Sequence, residues 1–208
     1  YSPDQPGHTA WPTVVVAKTH KGDKGKIAYE GMKALWESPL QQSPPVTIAE
    51  PLAYLPDLKV LVQGPIREEQ TLEDLIQQTW RATKAINAGV EISGDLHAYI
   101  CKTAAGLAEL HQCGIRYGET VHWTDELAEI YEGRAKLAAP LPQLGDLAED
   151  LLAQLQRLAA LHPADPIVPA HRSFRPAQVL LYKGEIGFID FDGVCQAEPE
   201  IERPRQAN

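Results

Sequence analysis

The sequence predicts an α+β protein of two lobes: a small N-terminal β-sheet lobe with one helix, and a larger, mainly helical C-terminal lobe that carries a loop and a β-hairpin near its end. Three observations predict it. A β-branched run, TVVVAK (13–18), precedes one amphipathic segment and then short apolar runs broken by prolines, up to KVLV. Helical spacing of apolar residues then holds from Thr71 to Leu161. Finally, HRSFRPAQ leads into VLLY, KGE and IGFI, which read as two apolar strands about a turn.

Taken in order, the β-branched run follows a start containing Pro and Gly, and it is expected to be a buried strand that delivers Lys18 to its end. From Gly25 to Glu37 the apolar positions Ala28, Met32, Leu35 and Trp36 fall at i, i+4, i+7 and i+8, with Glu30 toward the edge of that stripe. Residues 44–66 alternate apolar runs with prolines, which predicts two or three short strands and a proline-bearing connector. The first lobe is therefore placed at residues 1–66 and the second at 67–208.

In the second lobe Leu72, Leu75, Ile76 and Trp80 stripe one helix, and Leu96, Ile100, Thr103, Leu107 and Leu110 a second. The next is expected to start on a Thr124 N-cap with acids in its first turn, which suits the helix dipole. Leu144, Leu147, Leu151, Leu155 and Leu158 mark the last, and Pro163, Pro166 and Pro169 stop it. No internal repeat or low-complexity tract interrupts this order.

The 208 residues, 44% of them apolar, suffice for a real core. Nineteen basic residues against 28 acidic give a net charge of -9, which argues against a nucleic-acid partner and suits a cationic substrate better. Cys101, Cys113 and Cys195 are odd in number and form no C-x-x-C pair, so a reducing, cytoplasmic setting fits. His97 and Cys101 share a helix face as metal ligands would, but without a second pair they read as an ordinary half-buried face. No stretch reaches the roughly 20 apolar residues of a membrane span. The chain begins at Tyr1, so a removed leader or an upstream segment stays open.

The order of Lys strand, Glu helix, connector, helical lobe, loop, hairpin and Asp resembles the protein-kinase-like fold. It is most similar to the aminoglycoside phosphotransferase and choline kinase type of small-molecule kinase. Members carry H-G-D-x-x-x-x-N in the catalytic loop and I-D-[FW]-[DE] after the hairpin, and HRSFRPAQVLL and IGFIDFDG keep that spacing. The resemblance is sharp over residues 168–199 and includes the trailing CQAEPE.

The resemblance implies ATP and Mg²⁺ as cofactors and an unknown hydroxylated small molecule as acceptor. Lys18, Glu30 and Gln63 fall on the nucleotide side, with Glu30 expected to hold Lys18 in an ion pair. Asp190 falls on the metal-binding Asp, and a carboxylate ending an apolar strand does need a cation or a set of donors. Asp192 is an auxiliary acid or a turn cap. His171 falls on the loop His and is expected to brace the loop. Arg172 and Arg175 flank the next position, either to reach phosphate or an acidic substrate group, or as surface arginines.

Two positions depart from the family pattern. Ser173 stands where the family has its catalytic Asp, and a hydroxyl carries no charge and is a poor base near neutral pH. Gln178 stands at the Asn, and its extra methylene shifts the amide oxygen beyond the sub-ångström tolerance of a preorganised site. Two readings follow, a phosphotransferase with weakened catalysis and a pseudokinase that keeps the site for binding alone. Only 12 residues precede Thr13 and 18 follow Asp190, so the chain is expected to be a piece of a longer protein or a shortened relative of it.

Overall fold

The computed structural model describes residues 12–41, 46–86, 94–161 and 164–201; the Pro- and Gly-containing start and Pro163 lie outside them. Within these the architecture is α+β, as the sequence predicts. Strand β1 (Val16–Thr19) leads through a turn into α1 (Lys24–Trp36). Three short strands follow, β2 (Val46–Ile48), β3 (Pro51–Leu55) and β4 (Val60–Gln63). Only β3 and β4 join β1, in the antiparallel order β1-β4-β3 with Lys18 opposite Leu61. The stripe of α1 packs on this sheet through Ala28, Met32 and Leu35, all at most 3% exposed. Each such buried Leu or Met contributes about 1.5–3 kcal/mol.

The run 13–18 departs from its expected burial. Val14, Val15 and Val16 are 63%, 42% and 45% exposed. Strand β1 is an edge of its sheet, and a β-branched run reports strand preference rather than cover.

The second sheet joins the two lobes. After β5 (Gln70–Thr71) come α2 (Leu72–Ile86) and α3 (Gly94–Gln112), and later the hairpin of β8 (Val179–Tyr182) and β9 (Glu185–Phe188). Its order is β2-β9-β8-β5, with β2 parallel to β9, so a strand from before the expected boundary at residue 66 pairs directly with the hairpin. At the hairpin tip Lys183 and Gly184 both have positive φ, 48° and 85°, as the two-residue turn that matches strand twist requires. Leu72, Leu96, Thr103 and Leu110 are buried from α2 and α3, whereas Trp80 and Ile100 face out at 59% and 44% exposure.

A third small sheet, β6 (Thr120–Val121), β10 (Cys195–Ala197) and β7 (Val168–Ala170), has the order β6-β10-β7. Its core is Val121, Ala170, Cys195, Ala197 and Ile201, with Trp123 packed against it. Between β6 and β7 run α4 (Trp123–Ala138) and α5 (Pro142–Leu161). The N-cap of α4 is His122 rather than Thr124: its backbone N–H donates to the Asp125 carboxylate at 2.8 Å.

Helix α5 packs chiefly on α4, burying Gly145 and Leu152. The leucine stripe that marks this helix in the sequence is open, with Leu144, Leu147, Leu151 and Leu158 between 42% and 61% exposed. Periodicity identified the apolar side of the helix but not whether anything covers it.

Candidate active site

The loop between β7 and β8 carries His171, Arg172, Ser173, Phe174 and Arg175, then a single 3₁₀ turn from Pro176 to Gln178. Pro176 suits the start of that turn because its fixed φ is preorganised for it and it has no N–H to leave unpaired. Beyond β9 the chain turns at Asp190, whose φ of 71° and ψ of 47° are left-handed. Arg172 has a φ of 62°. Two non-glycine residues in this region, both in the loops that face each other, mark a backbone held by its surroundings.

Lys18, Asp190, Asp192 and Gln178 converge from three elements. The Lys18 amine donates to one oxygen of Asp190 and lies 2.7 Å from Asp192. The Gln178 amide nitrogen donates to the other oxygen of Asp190 at 2.7 Å. Burial works against both charges and is the largest single influence on each, but the hydrogen bonds and attraction between them outweigh it. Asp190 is therefore held below the usual carboxylate range, and Lys18 above the usual amine value.

His20, two residues beyond Lys18 and so on the same face of the strand, places Nε2 3.1 Å from Asp192. Sequence reasoning missed His20, although that spacing was its signal.

Glu30 is not part of this cluster. Its carboxylate lies 3.8 Å from Lys26 and faces the Tyr117 hydroxyl at 3.3 Å, while that hydroxyl is 2.9 Å from the Ile27 carbonyl. Burial, and then the charge of Glu30, push the Tyr117 phenol up to about 12. The expected Lys18–Glu30 pair is replaced because two carboxylates, Asp190 and Asp192, already engage the amine.

Gly31 brings α1 close on this side. A Cβ there would lie 2.3 Å from Val194 and 2.9 Å from Tyr117, so α1 rests directly on the segment after Asp190. Gln63 is half-buried in β4, opposite Val16 and Pro51, and makes no side-chain hydrogen bond to the cluster.

Ser173 is half-buried beside the cluster, with Oγ 3.2 Å from His171 Nδ1 and 3.3 Å from the Asp190 carbonyl. His171 is fully buried, its Nε2 2.9 Å from the Ile189 carbonyl and its ring against Phe174 and Phe191. The imidazole thus ties the loop to the end of β9.

Arg172 is not a surface arginine. It is 4% exposed and reaches Glu119 at 2.8 Å, Glu126 at 3.1 Å and Glu129 at 3.5 Å, of which Glu126 is itself 2% exposed. Helix α4 thereby holds the loop from behind. The i, i+3 spacing of Glu126 and Glu129 marked a shared helix face, but nothing in the sequence pointed to a partner more than 40 residues on. Arg175, in contrast, is exposed and its side chain makes no ion pair among the described residues.

A hard dication fits the donor set. Asp190 and Asp192 offer carboxylate oxygens, and the Gln178 amide oxygen is buried without a hydrogen-bond partner. Rotating that amide would turn its oxygen toward Asp190. No cluster of three or more His, Cys, Asp or Glu forms among the described residues, so such an ion would also need oxygens from a bound nucleotide. His97 and Cys101 lie 3.8 Å apart on an exposed face of α3 and gather no third ligand there.

A family model described as "Phosphotransferase enzyme family" matches residues 48–202. No curated protein matches the sequence. Among solved structures, APH(2")-IIa in complex with gentamicin superposes with a TM-score of 0.62 at 17% identity, covering 90% of this chain and 62% of that one. The ADP-bound aminoglycoside phosphotransferase APH(2'')-Ib gives 0.59 at 17% identity over the same shares. A choline/ethanolamine kinase family protein from Mesorhizobium loti gives 0.55 at 14%, covering 89% of this chain and 54% of that one. The chain therefore spans less than two thirds of the length of these structures, which share its fold.

Proposed function

Because the chain belongs to the phosphotransferase enzyme family, we propose that it binds ATP with magnesium through Lys18, Gln178, Asp190 and Asp192. In this reading it passes the γ-phosphate to a hydroxyl of a small molecule. One observation carries the proposal: the Asp190 carboxylate is held by Lys18 on one oxygen and by Gln178 on the other, with an unpartnered amide oxygen beside it. That is a cation site joined to a phosphate-binding amine. The ion would neutralise phosphate charge, and Lys18 would leave its two carboxylates to hold the phosphates.

Residues 1–66 supply the nucleotide lobe in this reading, with Gln63 leading into the hinge and Glu30 exchanging Lys26 and Tyr117 for Lys18 when Asp190 turns to metal. Residues 67–208 supply the loop and the metal-binding Asp. His171 braces the loop, and exposed Arg175 stands ready for a phosphate or an acidic group. The three cysteines among the described residues are free thiols, which supports a reducing, cytoplasmic setting. No helix of the described residues is long and apolar enough to cross a membrane.

The acceptor we assign is a cationic, hydroxylated compound. A groove of about 1320 Å³ lies between α4, α5 and residues 198–201, walled mostly by apolar side chains such as Leu127, Leu155 and Leu158, with Tyr131, Glu132 and Glu200 among its lining. Tyr131 with Glu132 and Glu200 in an otherwise apolar groove suits a ligand that joins an amine to an apolar body. Helix α4 lines this groove with Leu127, Ala128 and Tyr131, while Glu126 and Glu129 of the same helix hold Arg172. Gentamicin and streptomycin occupy the complexes of the structural neighbour APH(2")-IIa.

A second reading, a non-catalytic nucleotide binder, is favoured by Ser173 itself. Both readings require binding. Mg-ATP at about 100 times its Kd is expected to stabilise the chain by roughly 2.7 kcal/mol in a thermal melt. Asp190→Asn should abolish that gain, since the ion loses its main anionic ligand. A flat melting temperature in wild type at millimolar Mg-ATP would sink both readings.

A further inference from the structure

His20 carries a cost that packing alone does not require. Its side chain is 4% exposed, and Nδ1 is buried with no hydrogen-bond partner among the described residues. A buried polar atom left unpaired is unfavourable, and an apolar side chain of similar size would avoid the penalty. The residue is nonetheless held closely. Its backbone N–H donates to the Lys59 carbonyl at 3.0 Å, which extends the pairing of β1 with β4. Gly25, in the first turn of α1, leaves room for the ring: a Cβ there would lie 3.0 Å from Nδ1 and 2.8 Å from Tyr54. The imidazole is therefore fixed, and its side-chain hydrogen bond goes to Asp192.

That bond falls on one oxygen in particular. His20 Nε2 lies 3.1 Å from Asp192 Oδ2, and a carboxylate only accepts, so Nε2 carries a proton. Lys18 reaches the same oxygen at 2.7 Å. Both donors thus gather on Oδ2, and among the described residues no hydrogen bond or ion pair reaches Oδ1. Asp190 differs, since Lys18 takes one of its oxygens and Gln178 the other.

We propose that His20 is the residue that positions Asp192 for the cation: it holds Oδ2 and so leaves Oδ1 to the ion. The inference rests on the magnesium and nucleotide site proposed above. In that site Lys18 leaves both carboxylates for phosphate, and His20 is the donor that remains on Asp192. Asp192 sits half-buried in the single 3₁₀ turn Phe191–Gly193, where its carboxylate is free to rotate unless a partner fixes it. Hydrogen-bond partners that orient a metal ligand are worth about 10- to 100-fold in metal affinity. His20 acts through Asp192 and needs no contact with nucleotide or acceptor.

The test is calorimetric titration of ATP into the full chain at a series of magnesium concentrations, for wild type, His20→Leu and His20→Gln, with unliganded melts in parallel. His20→Leu should raise the half-saturating magnesium concentration about 10- to 100-fold. Its unliganded melting temperature should be no lower than that of wild type, because the change also removes the unpaired nitrogen. His20→Gln, whose amide N–H can stand in for that of Nε2, should recover most of the magnesium affinity, a rescue that a packing role would not give. Imidazole NMR of wild type needs no variant, and Nε2 is expected to stay protonated when Mg-ATP is added. A magnesium requirement unchanged in His20→Leu, or an Nε2 that loses its proton on adding Mg-ATP, would overturn the positioning role and leave the nucleotide site standing. Equal weakening in His20→Leu and His20→Gln would overturn it as well, in favour of packing. A wild type that binds no ATP at any magnesium concentration would overturn the nucleotide site and this inference with it.

Discussion

Ser173→Asp combined with Gln178→Asn is expected to raise phosphoryl transfer from Mg-ATP, to water or to an added hydroxylated amine, by roughly 10²- to 10⁴-fold over wild type. The aspartate would supply the charged group that orients an acceptor hydroxyl and takes its proton, in a loop already braced by His171 on Ile189. The second change concerns geometry. Gln178 now spends its amide N–H on Asp190 at 2.7 Å, and its oxygen has no partner. An Asn there is one methylene shorter and would draw the oxygen back toward the ion. The two changes serve one constellation, so their effects should not add. Steady-state turnover of wild type, both single variants and the double variant checks this. A wild type already working at about 1 to 100 per second would show that Ser173 is no defect.

The second large effect concerns stability. Arg172→Ala is expected to lower the unfolding free energy by about 3–5 kcal/mol in urea titrations, because it strips a buried carboxylate of its guanidinium. Glu126 is the partner that matters, at 2% side-chain exposure. Glu119 and Glu129 are 68% and 50% exposed and contribute little. Arg172→Gly should cost about 1–2 kcal/mol less than Arg172→Ala, since a φ of 62° strains any residue with a Cβ. Removing both charges, as Arg172→Met with Glu126→Leu, should recover most of the loss. Equal stability of wild type and Arg172→Ala would show that the ion-pair cluster does not hold the loop.

The loop from His171 to Gln178 and the hairpin after it were legible in the sequence because their signals are local. A Pro-bounded loop, two apolar strands about a Lys-Gly turn and an Asp at the strand end each constrain the chain within a few residues. The β1 lysine was legible for the same reason. Its partner was not: the choice between Glu30 and the Asp190–Asp192 pair depends on how α1 sits on the segment after β9, which Gly31 and Val194 set. The clamp on Arg172 was hidden likewise, since its carboxylates come from the approach to β6 and from α4. Burial was the least legible property. Val14 to Val16 and the α5 leucines have the pattern of core residues, yet pattern records only which side of an element is apolar.

The central claim is that Asp190 and its neighbours form one site for a nucleotide and a divalent ion. Titrating ATP into the chain by calorimetry, once with magnesium and once with EDTA, tests it most directly. The account predicts saturable binding in magnesium that weakens at least about tenfold, or 1.4 kcal/mol, in EDTA, and the same loss for Asp190→Asn in magnesium. Binding of equal strength with and without the ion, unaffected by Asp190→Asn, would contradict it.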